Sequence, residues 1–307
     1  MQNMDGLRTV VNQMGPGSAD EAGVAVGPFH SVCRNVVRLC LKGAVALGAV
    51  FVVAAVTVTP VLADSLSDIK KSGVVRFGVK ADVKPWAYTT SAGKPIGFEI
   101  DMAKVLAKRL GAKPEFITVT SANRIQYLKQ GRIDITLATM SNTAKRRKIV
   151  RMIEPNYYGD ATNLMAPAGS KFKTWPDLKG AVLCAVNGAI YNKWVAQKYD
   201  AEVKAFKGPP EVIAAMKQNQ CEGFIYSDQI MRIMLDTDAE LKGYVVALEP
   251  VNTDFWAIAV NLDSEDDSLA AALSESISAI HKSGKMLELA NGHGLGGNPF
   301  LRSQANQ

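Results

Sequence analysis

Residues 120–158 read TSANRIQYLKQGRIDITLATMSNTAKRRKIVRMIEPNYY, and four different periodicities follow one another within them. Ile125 and Leu128 recur at helical spacing up to Gly131, a residue suited to ending a helix. Residues 133–138 are a short apolar run rich in β-branched side chains, as expected of a buried parallel strand. Residues 139–143 are small and polar, with Asn142 or Thr143 available to cap the next helix. The last piece begins at Ala144 and carries four consecutive cations, Lys145, Arg146, Arg147 and Lys148. A strand that ends in a hydroxyl-rich turn at a helix N-terminus is suited to an anion, because free backbone N–H groups and the positive end of the helix dipole meet there. An arginine in that first turn can fold back and grip a carboxylate with two parallel hydrogen bonds. The competing reading is a basic turn that faces water.

The flanks repeat the pattern. A short helix at 67–71 ends at Gly73, residues 74–79 form a strand, and residues 80–86 form the loop at its carboxyl end. Met102, Val105, Leu106 and Leu110 mark a helix face closed by Gly111, and 116–119 is the next strand. The chain changes character around 156–168, and a second series begins. It comprises a helical turn at 175–180, a strand at 181–186, and a helix opened by Asn187, Gly188 and Ala189 that runs to Tyr199. A strand at 203–206, a helix at 210–218 and a strand at 223–226 follow, the last ending at Ser227 and Asp228. Strands at 244–248 and 254–260 and helices at 269–280 and 285–290 close the chain, and the Gly-rich tail from Asn291 reads as loop. Such alternation predicts an α/β fold with parallel sheets and right-handed crossovers. Two series joined by extended crossings make two lobes with a cleft between them. The expected partition is a leader at 1–63, one lobe from 64–163 with 255–301, a second lobe at 164–254, and a tail at 302–307.

With 307 residues, 48% hydrophobic and 21% charged, the chain is an ordinary globular protein with room for two cores. Its net charge of +6 has no long basic tract behind it and does not argue for nucleic acid. Arg34, Arg38 and Lys42 precede an uncharged apolar run at 43–59, and in Pro60-Val61-Leu62-Ala63 small or short residues stand at the two positions that a signal peptidase reads before Asp64. This is the pattern of a secretory signal peptide, cleaved after Ala63 on the way to the periplasm; an uncleaved membrane anchor is the competing reading. Cys33 and Cys40 fall in that leader, as does His30. Cys184 and Cys221 lie in apolar runs of the body, either as buried thiols or as a disulfide. No Cys/His spacing suggests a metal, His281 and His293 have no partner pattern, and no cofactor fingerprint is present.

Five motifs in this order resemble the family 3 periplasmic solute-binding proteins, which deliver polar amino acids to ABC importers. They are Gly97-Phe98-Glu99-Ile100-Asp101, residues 128–134 (LKQGRID), the turn and basic stretch at 139–148, Pro155-Asn156-Tyr157-Tyr158, and Asp177-Leu178-Lys179-Gly180. The resemblance covers about residues 64–290 and implies two Rossmann-like lobes joined by a two-strand hinge, the type II periplasmic binding protein fold. It also implies a monomer that presents its closed form to a membrane permease.

Carried over by position, the resemblance gives Arg146 the ligand α-carboxylate, Ser141 a hydroxyl contact, and Thr139 a backbone carbonyl for the α-ammonium. Successive helical residues point about 100° apart, so Lys145, Arg147 and Lys148 are expected in solvent. Cations match at Lys80 and Arg124 in members that look like aspartate/glutamate binders, and Ser121 lies in the segment most like theirs. Two further cations would pair a second carboxylate, whose burial unpaired costs several kcal/mol. Trp86 and Tyr88 are either cleft walls or core. In the second lobe Asn187-Gly188-Ala189-Ile190 stands where the family has Ser-Gly-Thr-Thr, so Gly188 and Ala189 offer backbone N–H groups without the hydroxyl. The ammonium-binding Asp of the family matches Ser227, with Asp228 one residue later; strand alternation turns Asp228 the other way unless the strand has already ended there, and it is kept among the expected ligand contacts. The expected ligand is therefore a small polar or acidic amino acid, aspartate- or glutamate-like; the departure at Ser227 speaks instead for a dicarboxylate or another small acid without an ammonium group. A periplasmic dehydratase of cyclohexadienyl-type acids on the same fold is the alternative, with Glu99, Glu154, Asp228 or Glu222 as its acid. A membrane-anchored sensor is a third reading.

Overall fold

Burial alternates along the start of the strand Val74–Val79, with Val75 and Phe77 inside and Arg76 between them partly exposed, as the period of two requires. In this computed structural model, which describes residues 66–263 and 266–305, that strand lies inside a five-stranded sheet. Its parallel neighbours are Lys113–Thr118 on one side and Ile135–Thr136 on the other. Ala259–Val260 and Arg151–Met152 then continue the sheet in the antiparallel sense. Helix Phe98–Leu110 packs over it through Phe98, Met102, Leu106 and Leu110, four apart and all buried. Gly111 ends that helix in the left-handed conformation, where a residue without Cβ costs least.

A second sheet holds Glu202–Phe206, Val182–Val186 and Gly223–Ser227 as parallel neighbours, then the ten-residue strand Tyr158–Pro167 antiparallel to them. Tyr244–Val246 and Val251–Trp256 both pair with that long strand. The chain thus leaves the first lobe along Tyr158–Pro167 and returns along Val251–Trp256, with Trp256 beside Tyr158 and Asp254 beside Asp160. Parallel pairing, expected throughout, holds for three strands in each sheet. The crossing strands reverse direction because they carry the chain between lobes.

Four local expectations are corrected. The helix expected to open at Asn187 starts at Tyr191, since Gly188 takes a positive φ of 82° and makes a turn. Helix Asp228–Thr237, not foreseen, follows directly on the strand end and buries Ile230 and Met231. The Gly-rich tail contains helix Pro299–Ala305: proline sits at its first position and Asn298 Oδ1 accepts from Leu301 N at 3.1 Å. Asn298 Nδ2 also reaches Gly159 O at 2.8 Å, which ties the tail to the crossing strand. The strand expected at 254–260 divides into Val251–Trp256 and Ala259–Val260, one in each sheet.

Cys184 and Cys221 form a disulfide, with 5.5 Å between their Cα atoms. Among the described residues no helix is long and apolar enough to cross a membrane. The expected leader, its cleavage after Ala63, and Cys33, Cys40 and His30 lie outside the described residues.

Candidate functional site

The polar turn after Ile135–Thr136 does two things at once. Thr143 caps the four-residue helix Ala144–Arg147, its side chain accepting from Arg146 N. That short turn rotates Arg146 inward and leaves Lys145, Arg147 and Lys148 exposed, as the helical spacing predicts. Arg146 is 7% exposed; its Nη1 donates to Ser141 O at 3.0 Å and its Nη2 crosses the cleft to Gly188 O at 3.1 Å. Thr139, at the strand end, has a positive φ of 46°. Its N–H donates to the buried carboxyl of Glu99 at 2.7 Å, and Tyr157 Oη donates to the same oxygen at 2.5 Å. A non-glycine residue is held in that conformation only where its surroundings fix it. Here the brace is Glu99.

A cavity of about 30 Å³ lies where the lobes meet, two to three times the roughly 11 Å³ of one water-sized sphere. Its first-lobe wall is Ser121, Arg124, Thr139, Ser141 and Arg146. The second lobe contributes Ala189, Ile190, Tyr191, Tyr226, Ser227 and Ile230, and the returning strand contributes Asp254 and Trp256.

Two buried guanidiniums share this space. Arg124 donates through Nη1 to Ala138 O and, at 3.2 Å, to Thr139 O, while its Nε has no hydrogen-bond partner among the described residues. Burial, then repulsion from Arg124, pulls the Arg146 pKa down to about 9. One carboxylate lines the same cavity: Asp254 Oδ2 accepts from Ser141 Oγ at 2.6 Å and from Trp256 Nε1 at 3.1 Å. Burial raises its pKa against those hydrogen bonds. Two cations facing one carboxylate leave a positive surplus.

Six of the residues singled out in the sequence therefore meet at the cavity: Ser121, Arg124, Thr139, Ser141, Arg146 and Ala189. Gly188 stands at its edge, its carbonyl holding Arg146. Three others are elsewhere. Lys80 is buried behind the cavity with its ammonium 3.5 Å from Asp82 Oδ1, and burial lowers its pKa. Trp86 is core, packed edge-on to Tyr158 and Trp256. Asp228 does not line this cavity: it accepts from Asn163 Nδ2 at 2.7 Å and pairs with Arg232 at 2.8 Å. Its place at the first position of a helix, one residue past the strand, turns it away.

Among the four carboxyls expected to supply an acid, Glu99 is sealed behind Thr139, and Glu154 and Glu222 are exposed in ion pairs with Arg147 and Lys171. Sequence reasoning missed Asp254, Trp256, Tyr191, Tyr226 and Ile230. The signal for the first two was in the returning strand, where a period of two puts Asp254 and Trp256 on one face.

This cleft has counterparts, and residues 75–295 match the bacterial extracellular solute-binding proteins, family 3. The chain belongs to that family. The ABC transporter glutamine-binding protein GlnH of Bacillus subtilis is 31% identical over 232 residues, which covers 74% of this chain and 83% of the relative. Among solved structures, the solute receptor for L-cysteine of Neisseria gonorrhoeae superposes with a TM-score of 0.69 at 24% identity, covering 75% of this chain and 93% of the receptor. The ancestral amino acid-binding protein AncCDT-1, a precursor of cyclohexadienyl dehydratase, gives 0.67 at 23% identity, covering 74% and 98%. Those two likenesses establish the type II periplasmic binding protein fold for this family 3 protein. The relatives differ in the ligand that they are named for.

Proposed function

We propose that this chain is the exported substrate-binding component of an ABC amino acid importer, released by cleavage after Ala63, and that it takes a small acidic α-amino acid, aspartate- or glutamate-like. The observation that carries the acidic reading is the charge count at the cavity: Arg124 and Arg146 line it with Asp254 as the one lining carboxylate, while Glu99, which attracts Arg124 from behind Thr139, has its pKa raised by burial toward the neutral form. An α-amino acid places its carboxylate on Arg146 and its ammonium at Asp254 and Ser141, which leaves Arg124 for a second carboxylate. A buried guanidinium without a counter-ion costs several kcal/mol, so a ligand that supplies one is favoured over a neutral ligand of the same shape. The named relatives support the importer: GlnH is a glutamine-binding protein of an ABC transporter. Arg146 Nη2 on Gly188 O supports closure on the ligand, since this bond exists only while the lobes touch.

The test is calorimetric titration of the wild type and Arg124→Gln with aspartate and glutamine. Arg124→Gln is expected to lose at least tenfold for aspartate while glutamine changes by less than threefold. Equal losses for both ligands would end the acidic reading.

A further inference from the structure

At Ser227 the chain has a hydroxyl where the family resemblance implies a carboxylate, yet a carboxylate stands directly behind it. Ser227 Oγ is hydrogen-bonded to Asp160 Oδ2, on the strand Tyr158–Pro167 that carries the chain between the lobes. The other oxygen, Asp160 Oδ1, accepts the N–H groups of Ala161 at 2.7 Å and Gln229 at 3.1 Å. Both oxygens are thus fixed by donors. A serine hydroxyl has one proton and two lone pairs, and an ionised carboxylate can only accept. With its proton committed to Asp160, Ser227 can turn only a lone pair to the cavity that it lines. The same holds at Ser141, whose proton goes to Asp254 Oδ2 at 2.6 Å. Ser141 from the first lobe, Ser227 from the second and Asp254 from the returning strand are therefore three acceptors around one cavity. An ammonium group has three N–H donors.

We propose that Asp160 is a positioning residue for the ligand's ammonium group: it orients the Ser227 hydroxyl as an acceptor and so supplies, at one remove, the charge that the strand end lacks. The proposal rests on the α-amino acid reading above and specifies its ammonium end.

Proton uptake at Asp160 follows from the same geometry. Around it stand Asp254, its register partner on the returning strand, Asp228 and Arg232 on the adjoining helix, and the phenols of Tyr158, Tyr191 and Tyr226. Burial, ahead of repulsion from Asp228, pushes Asp160 up to about 7. Once protonated, Asp160 can itself donate to Ser227, whose own proton is then free to face the ligand and oppose an ammonium. Affinity for an amino acid should therefore fall with pH below about 7, by up to tenfold per pH unit for one coupled proton.

The experiment titrates wild type, Asp160→Asn and Ser227→Ala with aspartate, glutamine, arginine, cysteine and succinate (aspartate without its amino group) between pH 5.5 and 8.5. Asparagine keeps the acceptor for Ala161 and Gln229 but places an N–H₂ against Ser227, which reverses the hydroxyl. Asp160→Asn is expected to weaken the amino acids that the wild type binds by at least tenfold at pH 8, to leave succinate unchanged, and to abolish the pH slope. Ser227→Ala should lose severalfold and also be flat with pH. Equal losses for succinate and aspartate, or a pH slope that survives in Asp160→Asn, would overturn the proposal, as would a wild type that binds succinate as tightly as aspartate. A wild type that prefers glutamine, arginine or cysteine would overturn the acidic reading alone, because the Asp160→Asn loss on that amino acid reads out the ammonium site equally well. Binding of none of them would overturn both.

Discussion

Replacing Gly188 by alanine separates closure of the lobes from contact with the ligand. A Cβ at this position would lie 2.6 Å from Ser121 O, 2.7 Å from Ser121 C and 2.8 Å from Ala122 Cα. All three are backbone atoms across the cleft, so no side-chain rotation relieves the overlap. The lobes must part, and the bond from Arg146 Nη2 to Gly188 O at 3.1 Å stretches or breaks. A hydrogen bond to a charged group contributes about 1.5–3 kcal/mol, which converts to a loss of about ten- to a hundredfold in affinity. The φ of +82° adds a cost of about 1–2 kcal/mol for any residue with a Cβ, paid whether or not ligand is bound. Gly180→Ala is the matched control: its φ is +69°, but nothing lies within 4 Å of the added Cβ. Both variants should lose similar stability in chemical denaturation, and only Gly188→Ala should lose affinity by calorimetry. Wild-type affinity in Gly188→Ala, or an equal loss in Gly180→Ala, would refute the view that binding requires this contact between the lobes.

Three further outcomes are expected. Asp160 has its pKa raised by burial from 3.8 to about 7, so ionising it costs the folded state. The stability that it contributes is full below the unfolded pKa, declines as pH rises toward 7 and is level above, a span on the order of 4 kcal/mol. Denaturant midpoints of the ligand-free protein should accordingly show a shallower fall between pH 4.5 and 7.5 in Asp160→Asn, and an unchanged slope would contradict the burial argument. The disulfide closes 37 residues, so Cys184→Ser with Cys221→Ser should cost about 4 kcal/mol in denaturation while ligand affinity stays within threefold, since neither residue lines the cavity. Asp228→Ala removes the partner of Asn163 and Arg232 and should cost about 1–2 kcal/mol of stability. Its affinity should not change; a loss above tenfold would return Asp228 to the site.

Legibility in the sequence followed the range of the interaction. The strand Val74–Val79, helix Phe98–Leu110 and the turn that swings Arg146 inward rest on local periodicity, capping and glycine stops, and each is readable within about a dozen residues. Helix Asp228–Thr237 was hidden because its polar start, Ser227 to Gln229, looks like the end of the preceding strand. Helix Pro299–Ala305 was hidden by the glycines before it, although Asn298 and Pro299 are a start signal. At the cavity, Arg146, Ser141 and Thr139 share one local turn and were found together. Asp254 and Trp256 reach it from more than 100 residues away along the returning strand; the period of two places them on one face, but nothing local shows that this face meets Ser141. Lys80 and Trp86 have the right residue types for a site, but both lie in the loop after Val74–Val79, whose course no local period gives, and both are buried away from the cavity.

The proposed ligand carries one ammonium and two carboxylates. Equilibrium titration of residues 64–307, unfolded and refolded to remove any carried ligand, with aspartate, glutamate, glutamine, arginine and cysteine at pH 8 tests that proposal. Aspartate and glutamate are expected to bind more tightly than the other three, and arginine most weakly because Arg124 and Arg146 would repel it. Arginine or glutamine binding more tightly than aspartate and glutamate would contradict the proposal.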